Sequence, residues 1–368
     1  MKKILSKLLG GGVLLFNLSM SLTSCEDILG HWEKPAPVAP VEEGVYAFSL
    51  RNLADDADVA ATALTVTDQD GTEIATVSSN GKYKINKDDL SASTELWLEA
   101  TTANGNYIAR AKVDEIAAIA QEGKLKMATL GNIIGADGKF YANKAAVDAA
   151  STTGAAMIVY LGSGGEANTD YHHGLAIALK NATNAVNQFA WRSSDASYSY
   201  SYTDLDLPKQ YTTMCTGAET DAEKDMAGIE NTKTLKDKNA AYEAAAAADA
   251  YSVDGFTPET YGFSGWFLPS LGQWYKFLNG MCGLTWQYGM NSNSTGGEMG
   301  LAPLNKGFVD AGYDTDETKF AASHYWSSTE YAAGGAIKIN PSLNYGTNIS
   351  WDSKSEITSR YARAFLAF

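Results

Sequence analysis

The chain has 368 residues and carries 43 Asp and Glu against 28 Lys and Arg, a formal net charge of −15. Its basic residues form no stripe or cluster. That excludes a nucleic-acid binder and a protein held by charge on anionic headgroups, while the length implies two domains and a substantial core.

The first residues read as an address. Lys2 and Lys3 give a basic start, Ile4 to Leu22 is apolar but interrupted by Gly and Ser, and Leu22-Thr23-Ser24-Cys25 closes the stretch. This is the pattern of a secretory signal peptide over 1–24. A spanning helix would need about 20 consecutive apolar residues and no processing site. Cys25 after small residues matches the bacterial lipobox, so Cys25 is the expected lipidation site. Glu26-Asp27 resembles the surface-export signal of Bacteroidetes lipoproteins. That resemblance implies a lipid anchor in the outer membrane with the folded part exposed at the cell surface. Residues 25–43, with Pro35, Pro37 and Pro40, read as a stiff extended tether.

From 44 to 130 the pattern is all-β. Val45–Leu50, Ala63–Thr67, Glu73–Val77, Lys82–Ile85, Glu95–Ala100 and Tyr107–Ala111 are short alternating runs. Asp70-Gly71, Asn80-Gly81 and Asn104-Gly105 lie between them, and such dipeptides are strong hairpin signals. Regular short strands with these turns predict a small β-sandwich, Ig-like in outline. Asp114 to Gln121 reads as a brief helix or a linker edge.

The second predicted domain, 131–368, opens at Gly131-Asn132-Ile133-Ile134. Ala155–Leu161 and His173–Leu179 are continuous apolar runs of buried-strand length. Tyr198, Tyr200 and Tyr202 alternate with Ser, which places them on one face of an extended segment, either against the core or as an exposed patch. Residues 216–250 are acidic and Ala-rich with few large apolar residues, and predict one or two surface helices. Ser270 is a candidate N-cap. Leu271, Trp274, Tyr275, Phe277 and Leu278 then follow at helical spacing, with Gly280 and Gly283 ending the helix.

Three phrases frame the last third: Gly265-Trp266-Phe267-Leu268-Pro269-Ser270 with Gln273-Trp274, then Tyr325-Trp326-Ser327-Ser328-Thr329-Glu330, then Arg360-Tyr361-Ala362-Arg363-Ala364-Phe365. With the His173–Leu179 strand, these phrases resemble C-type-lectin-like domains of the Fibrobacter succinogenes major paralogous type. The resemblance covers about Gly131 to Phe368, with a helical insertion near 216–250. It implies a mixed α/β fold, and so an α+β chain in which an Ig-like β-sandwich precedes a C-type-lectin-like domain. The arrangement also resembles the variable proteins of diversity-generating retroelements, which vary ligand-contacting positions near the C-terminus.

Between the last two phrases, Tyr331 to Thr358 is polar and small, with almost no apolar periodicity. Its Tyr, Asn and Ser are the residue types that adaptable binding surfaces use. The expected ligand-binding set is Tyr331, Asn340, Asn344, Tyr345, Asn348, Trp351 and Asp352, displayed by a frame of buried Trp and Arg.

Catalytic patterns are absent from the sequence. There is no Gly-x-Ser-x-Gly, no spacing that marks a glycosidase carboxylate pair, and few His to serve as a base. His172-His173 has no third ligand in sight and reads as a polar strand start. Trp351-Asp352-Ser353 faintly resembles a lectin calcium motif, yet its partner tripeptide is missing and calcium needs six to eight oxygens. No cofactor and no metal is expected. Whether Cys215 and Cys282 pair stays open, since spacing alone cannot place their α-carbons. The expectation is a non-enzymatic surface lipoprotein that binds a host or microbial surface glycan or protein. A fimbrial subunit or tip component is the alternative.

Overall fold

The structure, a computed structural model, describes residues 44–165, 170–183, 187–193, 206–209, 211, 221–238, 241–287, 291–294, 301–332, 334–342, 346–356 and 360–368. The signal peptide, Cys25, the tether, Cys215 and the Tyr198–Tyr202 alternation lie outside the described residues. So do Asn344 and Tyr345.

The Asn-Gly and Asp-Gly signals organise the first part. Strands β1 (Val45–Asn52), β2 (Ala63–Asp68), β3 (Val77–Ser79), β4 (Lys82–Asn86), β5 (Glu95–Thr102) and β6 (Gly105–Lys112) lead to helix α1 (Val113–Glu122) and strand β7 (Lys124–Met127). Asn80 and Gly81 both have positive φ, 53° and 72°, the two-residue turn whose twist suits a hairpin. They join β3 to β4, in register Ser79↔Lys82. Gly105 starts β6 opposite Thr102. The strands form two sheets, of order β3-β4-β1-β7 and β2-β5-β6. Phe48, Leu50, Ile85 and Leu125 of one meet Val66, Leu96, Leu98 and Ala111 of the other, with Ile116 of α1, in a single buried cluster.

The segment expected as a short helix or linker edge is therefore a crossover. Gly123 ends α1 in the left-handed region at φ 69°, its N–H donating to the Ile119 carbonyl at 2.9 Å. The chain then runs parallel to β1, with Leu50 opposite Leu125.

The second part contributes β8 (Ile133–Gly135), β9 (Phe140–Tyr141), α2 (Lys144–Ala149), β10 (Gly154–Leu161), β11 (Gly174–Ala178), α3 (Gly228–Lys238), α4 (Glu243–Asp249) and α5 (Leu271–Tyr275). After α5 come β12 (Leu284–Gln287), β13 (Asn291–Ser294), α6 (Ala302–Asp310), β14 (His324–Ala332), β15 (Gly335–Ser342), β16 (Gly346–Ser353), β17 (Arg360–Tyr361) and β18 (Phe365–Ala367). Two sheets result, of order β18-β11-β10-β8-β9 and β12-β13-β16-β15-β14-β17. The chain as a whole is α+β. One buried cluster joins Met157, Ile177, Trp274, Phe277, Tyr325, Ile337, Ile339 and Ile349. A second joins Ala156, Ala176, Trp191, Trp266, Trp326, Ala336 and Phe368.

Helix α5 follows its sequence signal with one change. Leu271, Trp274, Phe277 and Leu278 are buried, but from Lys276 to Met281 the turns widen to π-helical spacing. The insertion departs further from expectation. Two helices are present, α3 and α4, yet α4 is not a surface helix: Ala244, Ala245 and Ala248 are fully buried, as is Leu235 of α3. Large side chains are not needed to bury a helix when small ones let its backbone approach the neighbouring layer.

Val41–Phe368 form one compact unit. Trp97 and Ile108 of the first part belong to the same cluster as Phe263 and Phe368. His173 stacks on Trp97, ring centres 4.4 Å apart, and its Nδ1 lies 2.6 Å from Glu99 Oε1. The Arg110 guanidinium covers both Trp97 and Phe263.

Candidate binding face on the β15–β16 hairpin

The three framing phrases lock onto one another. Phe267 and Phe365 exchange both backbone hydrogen bonds, each 2.9 Å. Ser328 N–H donates to the Pro269 carbonyl at 2.8 Å, and Leu271 N–H donates to Thr329 Oγ1 at 2.8 Å. The Trp274 indole donates to the Trp326 carbonyl at 3.3 Å, and the Trp326 indole to the Phe189 carbonyl at 2.8 Å. Ser270 sits at the N-cap position, where its N–H donates to Gln273 Oε1 at 2.9 Å, but its hydroxyl donates to the Asp225 carbonyl at 2.6 Å. Trp266, Trp274 and Trp326 are all buried, so none offers a ring to a ligand.

Arg363 is fully buried. It donates to the carbonyls of Ala178, Leu179 and Thr318 and to Asn181 Oδ1 at 2.7–3.0 Å, between the rings of Phe308 and Phe320. Burial pulls its guanidinium down to about 10, since desolvation disfavours the charged form.

Within this frame β15 and β16 pair over their full length, from Gly335↔Ser353 to Ser342↔Gly346. The stretch expected to be a permissive polar run is thus the middle of a six-stranded sheet. Side chains alternate across it. Ile337, Ile339 and Ile349 point into the core shared with Trp274, and Trp351, opposite Ile337, extends that face past the edge of the core. There it is 51% exposed. Its indole lies parallel to the Tyr331 ring, centres 5.2 Å apart and planes 6° from parallel. Gly335 makes room beneath it, because a Cβ there would fall 2.9 Å from Trp351 Cε3.

The remaining expected residues separate from that pair. Asn340 and Asn348 face each other across the hairpin and are half-buried. With Asp352 they occupy the alternate positions, on the side opposite Trp351. Asp352 Oδ2 accepts from Lys338 Nζ at 2.6 Å and also from Arg360 Nη2. Burial would raise its carboxyl; the hydrogen bonds from Lys338 and Arg360 outweigh this and hold it below the usual carboxylate range. Asp352 is committed to internal pairing. The hairpin therefore brings Tyr331 and Trp351 together and does not join Asn340, Asn348 or Asp352 to them.

A buried charge cluster at the hairpin base went unanticipated. Lys354 has a side chain 0% exposed, its Nζ 2.7 Å from Asp206 Oδ2, in contact with Glu330 Oε1, and 5.1 Å from the centre of the Trp191 ring. Arg192 Nη1 and the Tyr242 hydroxyl both donate to Asp206 Oδ1. Glu330 accepts the backbone N–H groups of Asp206 and Leu207. Burial alone would raise the Asp206 carboxyl, but the hydrogen bonds from Lys354 and Tyr242 reverse that and keep it low. Tyr242 is pushed up by burial and by Asp206. Lys and Glu are rarely buried unless paired, and the partners of Lys354 lie 148 positions away at Asp206 and 24 away at Glu330, so no local signal could have found the cluster.

Among the described residues, no group of three or more His, Cys, Asp or Glu converges to hold a metal, and no helix is long and apolar enough to cross a membrane. A groove of about 560 Å³ borders Tyr251 and Tyr313, and another of about 640 Å³ borders Arg110 and Phe140. Neither is lined by the hairpin.

No family model matches the chain, and no curated protein matches it. Among solved structures, a crystal structure of a fimbrial protein from Bacteroides ovatus is similar over 88% of this chain and 71% of that one, with a TM-score of 0.39 and 15% identity. A likeness at that level carries no argument about function.

Proposed function

We propose that the chain is a lipid-anchored, surface-displayed binding protein. In this reading an Ig-like sandwich carries a C-type-lectin-like domain that captures a surface glycan or protein through the hairpin of β15 and β16. The observation that carries the reading is the Trp351–Tyr331 pair. Burying an indole contributes roughly 1.5 to 3 kcal/mol, yet Trp351 is left outside the core while Trp266, Trp274 and Trp326 are inside it. A stacked, parallel aromatic pair held over a glycine presents contact area whose ordering entropy is already partly spent in the fold. Such rings serve as anchors for sugar faces and for side chains of a protein partner.

The chemistry required is recognition alone. On the opposite side Asp352 pairs with both Lys338 and Arg360 and so braces the strand that presents Trp351. The proposal is tested with the full chain on a glycan array and in pull-downs from host-cell surface extracts. A ligand captured by the wild type and lost in Trp351→Ala, with folding unchanged, is the expected result. Equal capture by the variant would remove the hairpin from the binding site. Cell-surface display is tested separately by protease shaving of intact cells, with Cys25→Ala expected to release the protein from the membrane fraction.

A further inference from the structure

We infer that Lys354 and Asp206 condense to an intramolecular isopeptide bond, with Glu330 as the proton relay. The argument starts from the cost of the charges. Two cations and two carboxylates sit in one buried cluster, and each ion withdrawn from water carries a desolvation penalty that pairing only partly offsets. Condensation of Lys354 with Asp206 removes one charge of each sign and leaves Glu330 and Arg192 to balance each other. The neutral amide suits the Trp191-lined interior better than the ion pair it replaces.

The geometry supplies each role. Lys354 Nζ is hydrogen-bonded to Asp206 Oδ2 at 2.7 Å, so a proton passes along that bond to give an amine facing a carboxylic acid. The hydrogen bonds on Asp206 favour the ion pair at rest, and the uncharged pair is the state from which the reaction starts. The amine nitrogen then attacks Asp206 Cγ. Negative charge builds on Oδ1, which already accepts from Arg192 Nη1 at 3.1 Å and from the Tyr242 hydroxyl. Donors fixed in advance where charge develops are the usual source of such rate enhancement.

Glu330 contacts the same Nζ and is held in place by the Asp206 and Leu207 N–H groups at 2.8–3.1 Å. It takes the second proton from nitrogen and delivers it to the Oδ2 hydroxyl, which leaves as water. One C–N bond forms, one C–O bond breaks, water is the sole by-product, and no oxidant or activated donor is required. The backbone already holds the partners together: Arg192 N–H donates to the Lys354 carbonyl at 2.8 Å, and Tyr211 N–H to the Glu330 carbonyl at 3.1 Å. The product would tie the end of β16 to the 206–207 segment and lock the hairpin base without touching the Trp351 face.

The test is a tryptic map of the full chain, denatured and reduced. Cleavage at Arg192, Lys209, Lys338 and Arg360 frees peptides 193–209 and 339–360. The expected result is one branched species lighter than their sum by one water, uncut after Lys354, with fragmentation placing the link between Lys354 and Asp206. Lys354→Arg and Glu330→Gln are expected to return peptides 193–209, 339–354 and 355–360 with no branched species, with native folding verified by circular dichroism. Wild-type protein cut after Lys354 with no branched species would leave a plain ion cluster and overturn the proposal. The wild-type digest decides this alone, whether or not the variants fold. A link to Glu330 instead of Asp206 would overturn the assignment, and a branched species persisting in Glu330→Gln would remove the relay.

Discussion

Trp351 and Ile337 face each other across the β15–β16 ladder, one half-exposed and the other fully buried. The same strand pair therefore contributes both a core residue and a surface ring from one side. Truncating Ile337 to Ala should destabilise the fold by about 2 to 5 kcal/mol, the range for a buried large-to-small change. Truncating Trp351 should change stability far less, about 0.5 to 1 kcal/mol, because it forfeits chiefly the stack on Tyr331. Urea unfolding of both variants measures the difference. A Trp351→Ala loss as large as that of Ile337→Ala would show that the ring belongs to the core.

Gly335 gives a sharper check on the ring's position. Its Cα lies so close to the indole that an added methyl would fall 2.9 Å from Cε3, and real Cβ contacts do not come that near. In Gly335→Ala the indole must tilt away from Tyr331. The expected outcome is a changed near-ultraviolet circular dichroism band with stability lowered by about 1 kcal/mol, and an unchanged band would place the ring elsewhere.

Gly272 is tighter still, because its neighbour is backbone. A Cβ there would lie 2.3 Å from the Asp225 carbonyl oxygen and 2.8 Å from its carbon. That oxygen also accepts from Ser270 Oγ and Gly272 N–H. Gly272→Ala should destabilise the protein by about 1 to 3 kcal/mol, as overpacking of a well-filled site does, despite Ala being the better helix former. A thermal melt at or above the wild-type midpoint would contradict this.

How far the sequence reaches depends on the distance over which each element is decided. Asn80-Gly81 and Leu271–Leu278 were legible because a turn and an apolar stripe are local properties. The parallel pairing of β1 with β7 was not, because Leu50 and Leu125 meet only after α1 has carried the chain across. The α4 alanines were misjudged for a different reason. Composition suggested a helix with nothing to bury, whereas the neighbouring layer comes close enough to cover Ala244, Ala245 and Ala248. At the hairpin, polar residue types suggested exposure for the whole run. Pairing of β15 with β14 on one edge and β16 on the other instead buries Lys338 and half-buries Asn340. Trp351 stood out in the sequence only as a residue type in a polar run; its stacking on Tyr331 is a register effect that no sequence window contains.

Asp352 makes a prediction in pH. Its folded carboxyl lies below the ordinary 3.8, since the Lys338 and Arg360 hydrogen bonds outweigh burial. A depressed folded value means that the unfolded chain binds the proton more readily, so stability rises with pH through this window. The contribution is complete above about pH 4 to 5 and is lost as pH falls through the folded value. Asp352→Asn should flatten the acid limb of a stability–pH curve taken from pH 7 to pH 2, while lowering stability at pH 7. An acid limb as steep as that of the wild type would show that other carboxylates dominate it.

Arg363 tests the frame itself. Its guanidinium donates in four directions at once, to the Ala178, Leu179 and Thr318 carbonyls and to Asn181 Oδ1. The phenyl rings of Phe308 and Phe320 lie 5.0 and 4.9 Å from its central carbon. A lysine carries the same charge but no planar fork, so it cannot reach carbonyls on both sides of the last strand. Arg363→Lys should therefore leave a buried charge short of partners and carbonyls unsatisfied. Such a loss costs about 3 to 5 kcal/mol, the range for breaking a buried charged site by removing one side of it. Arg363→Met removes the charge together with the donors and should cost less than Arg363→Lys if the buried charge dominates, and more if the carbonyls do. Denaturant midpoints of the two variants, measured side by side, separate those contributions. Near-wild-type stability in both would mean that β18 is held by its backbone pairing with β11 and Phe267 alone.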